Sequence, residues 1–210
     1  SPLEEYQSFG IMEEAAFRKK YGFTTPYFVY PSAMRYYKNH YRLIEAFINF
    51  RNSSKGYDTN LLLIMTDNFL HYPDMHEIKE LAPKCLDETV RNSIVFTGRF
   101  PANEMPSLYS YAAGTIVPTL FEGSCPFPIL ESSIVGTPVA FSDISVVWEV
   151  IPKTKEVISF DPYSVKDMEK AICRLWQNRK LCSDRQFRIP DRTWQDVARE
   201  YISIIQTVLN

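Results

Sequence analysis

The sequence predicts an α/β domain built on a doubly wound, Rossmann-like parallel sheet flanked by helices. Short β-rich apolar runs alternate with longer segments of helical periodicity along most of the chain. One run, Leu61 to Met65, is continuously apolar, the mark of a strand covered on both faces. Glycines stand where these segments change character, at Gly22, Gly98 and Gly136. Right-handed crossovers between such strands lead to a sheet of about six strands.

Each element has its own local reason. Residues 11–21 read as a short amphipathic helix closed by Gly22. Tyr27 to Tyr30 is a β-rich run, and residues 39–50 place Leu43, Ile44, Phe47 and Ile48 at helical spacing. After the strand at 61–65, residues 75–91 read as a helix that Pro83 breaks or kinks. A strand at 94–97 ends at Gly98, and a helix covers 104–112. Strand, loop and helix follow over 115–135, then a strand at 138–141, a short helix at 146–151 and a strand at 157–160. Helices at 165–177 and 193–209 complete the chain. The expected organisation is a connecting segment with a short helix at 1–23, the sheet domain at 24–178, and a linker and helix at 179–210 packing on the same domain. Neither an internal repeat nor a low-complexity segment is visible.

Composition narrows the possible functions. The chain has 210 residues, of which 45% are apolar and 23% charged, ordinary for a soluble globular protein with a full core. A net charge of −2 gives no electrostatic reason to expect nucleic acid or an anionic membrane as partner. Cys85, Cys125, Cys173 and Cys182 lie far apart, which suggests reduced thiols in a cytosolic setting. No apolar run approaches the roughly 18 residues of a membrane span. Glu4 and Glu5 occupy the place where a signal peptide carries basic residues. The glycine-rich fingerprints of dinucleotide sites and P-loops are absent, as is the G-x-S-x-G of serine hydrolases. His40, His71 and His76 do not follow a metal-ligand pattern.

The most informative stretch runs from Val117 to Glu131. Two acids, Glu122 and Glu131, flank a small loop punctuated by Pro126 and Pro128 that opens a helix. Ser124 is placed to cap that helix, and a proline in the first turn costs little because its missing N–H has no helical partner. Free amides at such a helix start suit phosphates. In open α/β sheets ligands bind beyond the carboxyl ends of the strands at the switch in strand order. The loops after Tyr30, Thr97 and Val117 would meet there.

This segment resembles the acid-loop-acid motif of the retaining glycosyltransferases of family 4, of the GT-B class. Other pieces resemble the same family in order: Lys38-Asn39 followed by Leu43-Ile44-Glu45-Ala46-Phe47, Val95 to Gly98, Gly136-Thr137-Pro138-Val139, the loop from Ser142 to Glu149, Phe160-Asp161-Pro162, and the final helix with Trp194. The resemblance covers roughly 24–208, and it is to the C-terminal, donor-binding half of such an enzyme. It implies an acceptor-binding N-terminal domain that is missing from this chain, with the helix at 11–21 as the connector. It further implies a nucleotide-diphosphate sugar as donor substrate, no cofactor, no metal, transfer with retention, and low activity for this half alone. The implied location is cytoplasmic, with any membrane contact made through the missing half.

The resemblance also assigns residues. Lys38 would meet the diphosphate, at a helix start where the dipole disfavours a cation. Glu122 would stand at the donor sugar as the charge-stabilising acid, and Glu131 would accept hydrogen bonds from the ribose. Arg35 either replaces an arginine the family often has two positions earlier, where Ala33 stands here, or is simply exposed. Gly98 and Arg99 would border the base. Thr119, Gly123, Ser124, Cys125 and Phe127 belong to the donor loop, with Cys125 read as a small packing residue rather than a nucleophile. Eight residues separate the two acids where the family pattern has seven. Either the loop bulges and both acids keep their roles, or Glu122 is displaced and Glu131 alone keeps its task. The readings that compete with a transferase are a non-catalytic Rossmann-like nucleotide-binding or interaction module and, less favoured, an epimerase of related architecture.

Overall fold

The computed structural model describes residues 6–53, 60–68, 92–179 and 194–209. Six parallel strands form one sheet: β1 (Tyr27–Tyr30), β2 (Leu62–Met65), β3 (Ile94–Phe96), β4 (Gly114–Val117), β5 (Val139–Ser142) and β6 (Ile158–Phe160). Their order is β3-β2-β1-β4-β5-β6, so the chain winds outward from β1 and then restarts on its other side at β4. The switch in strand order therefore lies between β1 and β4. The helices are α1 (Glu14–Tyr21), α2 (His40–Asn52), α3 (Met105–Ser110), α4 (Phe127–Ile134), α5 (Ser145–Trp148), α6 (Val165–Asn178) and α7 (Trp194–Leu209). The helix expected over 75–91 lies outside the described residues.

The two-residue period of a strand divides its side chains between two cores. On β1, Phe28 and Tyr30 enter one apolar cluster, while Tyr27 and Val29 enter the other. On β2, Leu63 and Met65 belong to the first cluster and Ile64 to the second. Helices α2 and α6 pack together, as do α3 and α4. The wholly buried sequences of β1, β4 and β5 follow from cover on both faces.

Helix α1 is seated on this domain. Glu13 caps it by accepting the Ala16 N–H at 2.9 Å, and Gly22 closes it at φ +71°. Its Phe17 is fully buried among the rings of Tyr21, Phe23, Phe100 and Tyr111. Lys20 and Tyr21 both reach Glu104, at 2.7 and 2.6 Å. Helix α7 contrasts with it. The sequence expects α7 to pack on the same domain, yet Tyr201, Ile202, Ile204, Ile205, Val208 and Leu209 are exposed. Among the described residues no helix is long and apolar enough to cross a membrane.

At Gly114, the first residue of β4, a side chain has no room. A Cβ built there would lie 2.6 Å from Leu175 Cδ2 of α6, and Leu175 is fully buried. Gly114→Ala is therefore expected to destabilise the protein by about 1–3 kcal/mol through overpacking. Leu175→Ala should cost about 2–5 kcal/mol by leaving a cavity. In the double variant the new methyl occupies part of that cavity, so urea denaturation should show a loss smaller than the two single losses combined.

Candidate functional site

The loops that leave β1 and β4 meet at the switch. The β1 loop runs through a 3-10 turn (Tyr36–Lys38) into α2, and the β4 loop carries Thr119 to Pro126. Leu120 N–H donates to Tyr37 O at 2.7 Å, and the Thr119 hydroxyl stands 3.1 Å from the same carbonyl. The rings of Tyr37 and Phe121 lie tilted by 30° with centroids 5.0 Å apart. Tyr30 at the end of β1 donates its hydroxyl to Lys38 O at 2.9 Å. These bonds carry the Lys38 ammonium onto the Glu122 carboxylate, forming an ion pair with side chains 22% and 17% exposed. Thr119 donates its hydroxyl to the same Glu122 oxygen at 3.0 Å. Lysine keeps further N–H donors beyond the one used here.

Asn39 holds this junction together. It adopts φ +60°, a left-handed conformation that asparagine tolerates better than most residues. Its amide donates to Pro118 O at 2.9 Å and to Pro162 O at 2.8 Å, tying the β1 loop to the loops after β4 and β6. Its own oxygen accepts from Arg42 at 3.1 Å. On the other flank, Asp67 beyond β2 accepts the Met34 N–H at 2.7 Å. Asn39 belongs to the Lys38-Asn39 piece of the family resemblance but is given no role there, and Asp67 is not singled out by the sequence patterns. Beside Asn39, His40 is buried against Tyr30 with ring centroids 4.8 Å apart. Among the described residues neither ring nitrogen of His40 has a hydrogen-bond partner of good geometry, and burial pulls its pKa down to about 4 against a smaller upward pull from the backbone of Ser32.

Helix α4 starts later than its sequence suggests. Pro126 is the N-cap, Phe127 the first helical residue and Pro128 the second, and no side chain caps the end. Ser124 is thus two residues too early to cap, because a cap must adjoin the first helical residue. Between the two acids, Gly123 and Ser124 form an exposed bend, and Glu122 lies against Lys38. Cys125 is buried in the core, and burial pushes its thiol up to about 12, which disfavours the nucleophilic thiolate. Phe127 is exposed at the helix mouth. Glu131 sits in the second turn of α4, partly buried, where it accepts a hydrogen bond from Tyr109 at 2.7 Å. Burial raises the Glu131 pKa, and the Tyr109 bond pulls it partly back.

The remaining candidates are less closely drawn in. Arg35 is exposed and donates at 2.7 Å to the Met34 carbonyl beside it. Gly98 takes φ +69° at the end of β3, a conformation that calls for glycine. Arg99 follows it, exposed, at the outer end of the sheet order, with β2 between it and β1. Among the described residues no group of three or more His, Cys, Asp or Glu side chains is placed to hold a metal; His71 and His76 lie outside them.

A cation and a carboxylate, Lys38 and Glu122, thus meet at the switch of a parallel sheet. The family described as glycosyl transferases, group 1, matches residues 13–188. The chain belongs to that family. No curated protein sequence matches it. Among solved structures, a glycosyltransferase from Rickettsia africae is 15% identical with a TM-score of 0.73, over 98% of this chain and 55% of that one. Sucrose-phosphate synthase from Thermosynechococcus elongatus is 16% identical with a TM-score of 0.66, over 97% of this chain and 50% of that one. A structure described as trehalose-6-phosphate from E. coli bound with UDP-2-fluoro glucose is 12% identical with a TM-score of 0.64, over 89% and 44%. At these identities the likeness is one of fold. The chain spans about half the length of these solved chains.

Two outcomes test this geometry. Asn39→Gly keeps the left-handed backbone but removes both amide donors, and should cost about 2–4 kcal/mol in urea denaturation. Asn39→Ala should cost about 1 kcal/mol more, the penalty of placing a Cβ in that conformation. The second outcome concerns pH. His40 stays neutral when folded down to about pH 4, whereas in the unfolded chain it protonates below about 6.5. Protons therefore favour the unfolded chain in that window. The stability present above pH 6.5 should be lost as pH falls toward 4, by about 3 kcal/mol over the whole interval. His40→Gln should lack that part of the pH dependence, which should therefore appear in full as the difference between the two unfolding curves.

Proposed function

We propose that this glycosyltransferase-family chain is the donor-binding half of a retaining enzyme that takes a sugar from a nucleotide-diphosphate sugar. Contact between Lys38 and Glu122 across the β1/β4 switch carries the reading. It sets a cation beside the acid proposed to face the reacting sugar. Lys38 and the backbone amides of the 123–127 loop supply positive charge for the diphosphate, with Pro126 and Pro128 contributing none. Those groups do in this reading what a metal does elsewhere, so transfer needs no metal. Glu131 receives the ribose hydroxyls, and Gly98 with Arg99 borders the base.

Catalysis then rests on electrostatics. Negative charge builds on the departing diphosphate as the glycosidic bond breaks, and Lys38 with the loop amides stabilises it. Positive charge builds on the sugar, and Glu122 stands nearest to answer it. Lys38 and Glu122 hold each other in place until a ligand offers each a new partner. The acceptor-binding half lies outside this sequence, in keeping with the share of the solved chains that this one spans. This half alone should bind nucleotide and transfer little sugar, because the facing wall of the cleft is supplied by the other half.

Isothermal calorimetry of the chain with UDP, GDP and ADP provides the test. One of the three is expected to bind, and Glu131→Ala should weaken it by about tenfold or more, the loss of a hydrogen bond to a charged group. Lys38→Ala should weaken a nucleoside diphosphate more than the matching monophosphate. In the full-length protein, Glu122→Gln should lower transfer by about 100-fold or more, and a chelator should leave it unchanged. Failure of all three nucleotides to bind at millimolar concentration removes the reading.

A further inference from the structure

We propose that Tyr109 is a positioning residue for Glu131: its hydroxyl holds one carboxylate oxygen so that the other is presented, still charged, to a bound nucleoside. This rests on the role given above to Glu131. Tyr109 lies on α3 and Glu131 on α4, two helices that pack against each other, and the hydroxyl donates to Glu131 Oε2 at 2.7 Å. Tyr109 is fully buried. Its ring meets the edge of Tyr6 with centroids 6.3 Å apart at 68°, and its carbonyl accepts the Thr137 hydroxyl at 2.7 Å. The donor is therefore fixed at both ring and backbone, and it fixes the carboxylate in turn.

The chemical type of this donor matters. A lysine or arginine in its place would cancel the charge of Glu131 and compete with the ligand. A neutral phenol stabilises the carboxylate and leaves its charge in place. Burial works the other way and favours the protonated acid, so the phenol is what keeps the group ionised at a lower pH. Among the described residues the titratable groups that act on Glu131 are phenols: Tyr109 from α3 and Tyr6 from the leading segment, with Tyr30 of β1 acting on Tyr109. Burial raises the pKa of all three, so they remain neutral donors. Tyr6 differs from Tyr109 in one respect. It is just 5% exposed, and its hydroxyl has no hydrogen-bond partner among the described residues. Tyr6 thus serves as an internal control: same ring type, same neighbourhood, no bond to the acid.

The experiment measures nucleotide affinity by calorimetry from pH 5 to 8 for the wild type, Tyr109→Phe, Tyr6→Phe and Glu131→Ala. Titration of the nucleotide's own phosphate is common to all four and is subtracted with Glu131→Ala. The remaining loss of affinity toward low pH should begin at higher pH in Tyr109→Phe, with several-fold weaker binding at neutral pH. In Tyr6→Phe it should stay where the wild type has it. A Tyr109→Phe profile that overlays the wild type, or a Tyr6→Phe profile shifted equally, overturns the proposal. The Glu131 carboxyl can also be titrated by carbon-13 NMR with no nucleotide present. Its midpoint should rise in Tyr109→Phe, and in the wild type the Tyr109 ring signals should move with it. Ring signals that ignore the Glu131 titration overturn the proposal even if the variant does not fold. Absence of nucleotide binding by the wild type would instead remove the role of Glu131 and leave the NMR outcome to stand by itself.

Discussion

The site depends on one side chain that performs no chemistry. Asn39 sits between the 3-10 turn and α2, with its backbone left-handed and its amide spent on two carbonyls of distant loops. Each of those carbonyls is a loop group at the carboxyl edge of the sheet. A buried polar group left unpaired costs far more than a paired one gains, so the three loops are held in one arrangement rather than several. Lys38 is the residue immediately before Asn39, and Pro118 lies four residues before Glu122. The contact between cation and acid is therefore a consequence of the amide tie. Its geometry is set before any charge interaction between the two is counted.

The two acids show how one residue type is given two environments within a single loop and helix. Glu122 lies beside a cation and a threonine hydroxyl, with part of its surface open. Glu131 is drawn into the crevice between α3 and α4 and is met by a phenol. A carboxylate next to an ammonium is suited to a place where charge develops as a bond breaks. One braced by a neutral donor in a drier place is suited to holding a diol. Fold and site meet here: the crossover from β3 to β4 builds the wall that carries Tyr109, and the crossover from β4 to β5 builds the helix that carries Glu131.

Much of this was legible in the sequence, for reasons that can be named. Strands buried on both faces write themselves as apolar runs such as Leu61 to Met65, because alternate residues meet one of two cores. Lys38, Glu122 and Glu131 were legible through a resemblance, and the structure puts the first two in contact. What the supporting residues touch was not legible. Asn39 reaches residues 79 and 123 positions away, Asp67 reaches Met34 across 33, and Tyr109 reaches Glu131 across 22. Such pairs leave no periodic trace, since only the folded topology brings them together. Ser124 misled for a local reason. It has the composition of a cap, but the prolines at 126 and 128 set where the helix begins. The helix expected as part of the connecting segment also carries Phe17 into an aromatic cluster, a set of contacts that its sequence alone does not spell out.

The extra residue between Glu122 and Glu131 shows where the constraint on this loop lies. Its two ends are anchored independently. Glu122 is held by Lys38 and Thr119, and Cys125 is fastened by burial in the core two residues ahead of the first helical position. Between the anchors, Gly123 and Ser124 face solvent. Lengthening a solvent-facing link by one residue adds little closure entropy, a small fraction of the roughly 0.6 kcal/mol that a doubling costs. Moving either anchor would instead break a paired charge or uncover a packed side chain. The spacing of the two acids along the sequence can therefore drift while the positions of their supports stay put. What a motif of this kind encodes is a pair of fixed points, and the count of residues between them is merely the shortest common way to join those points.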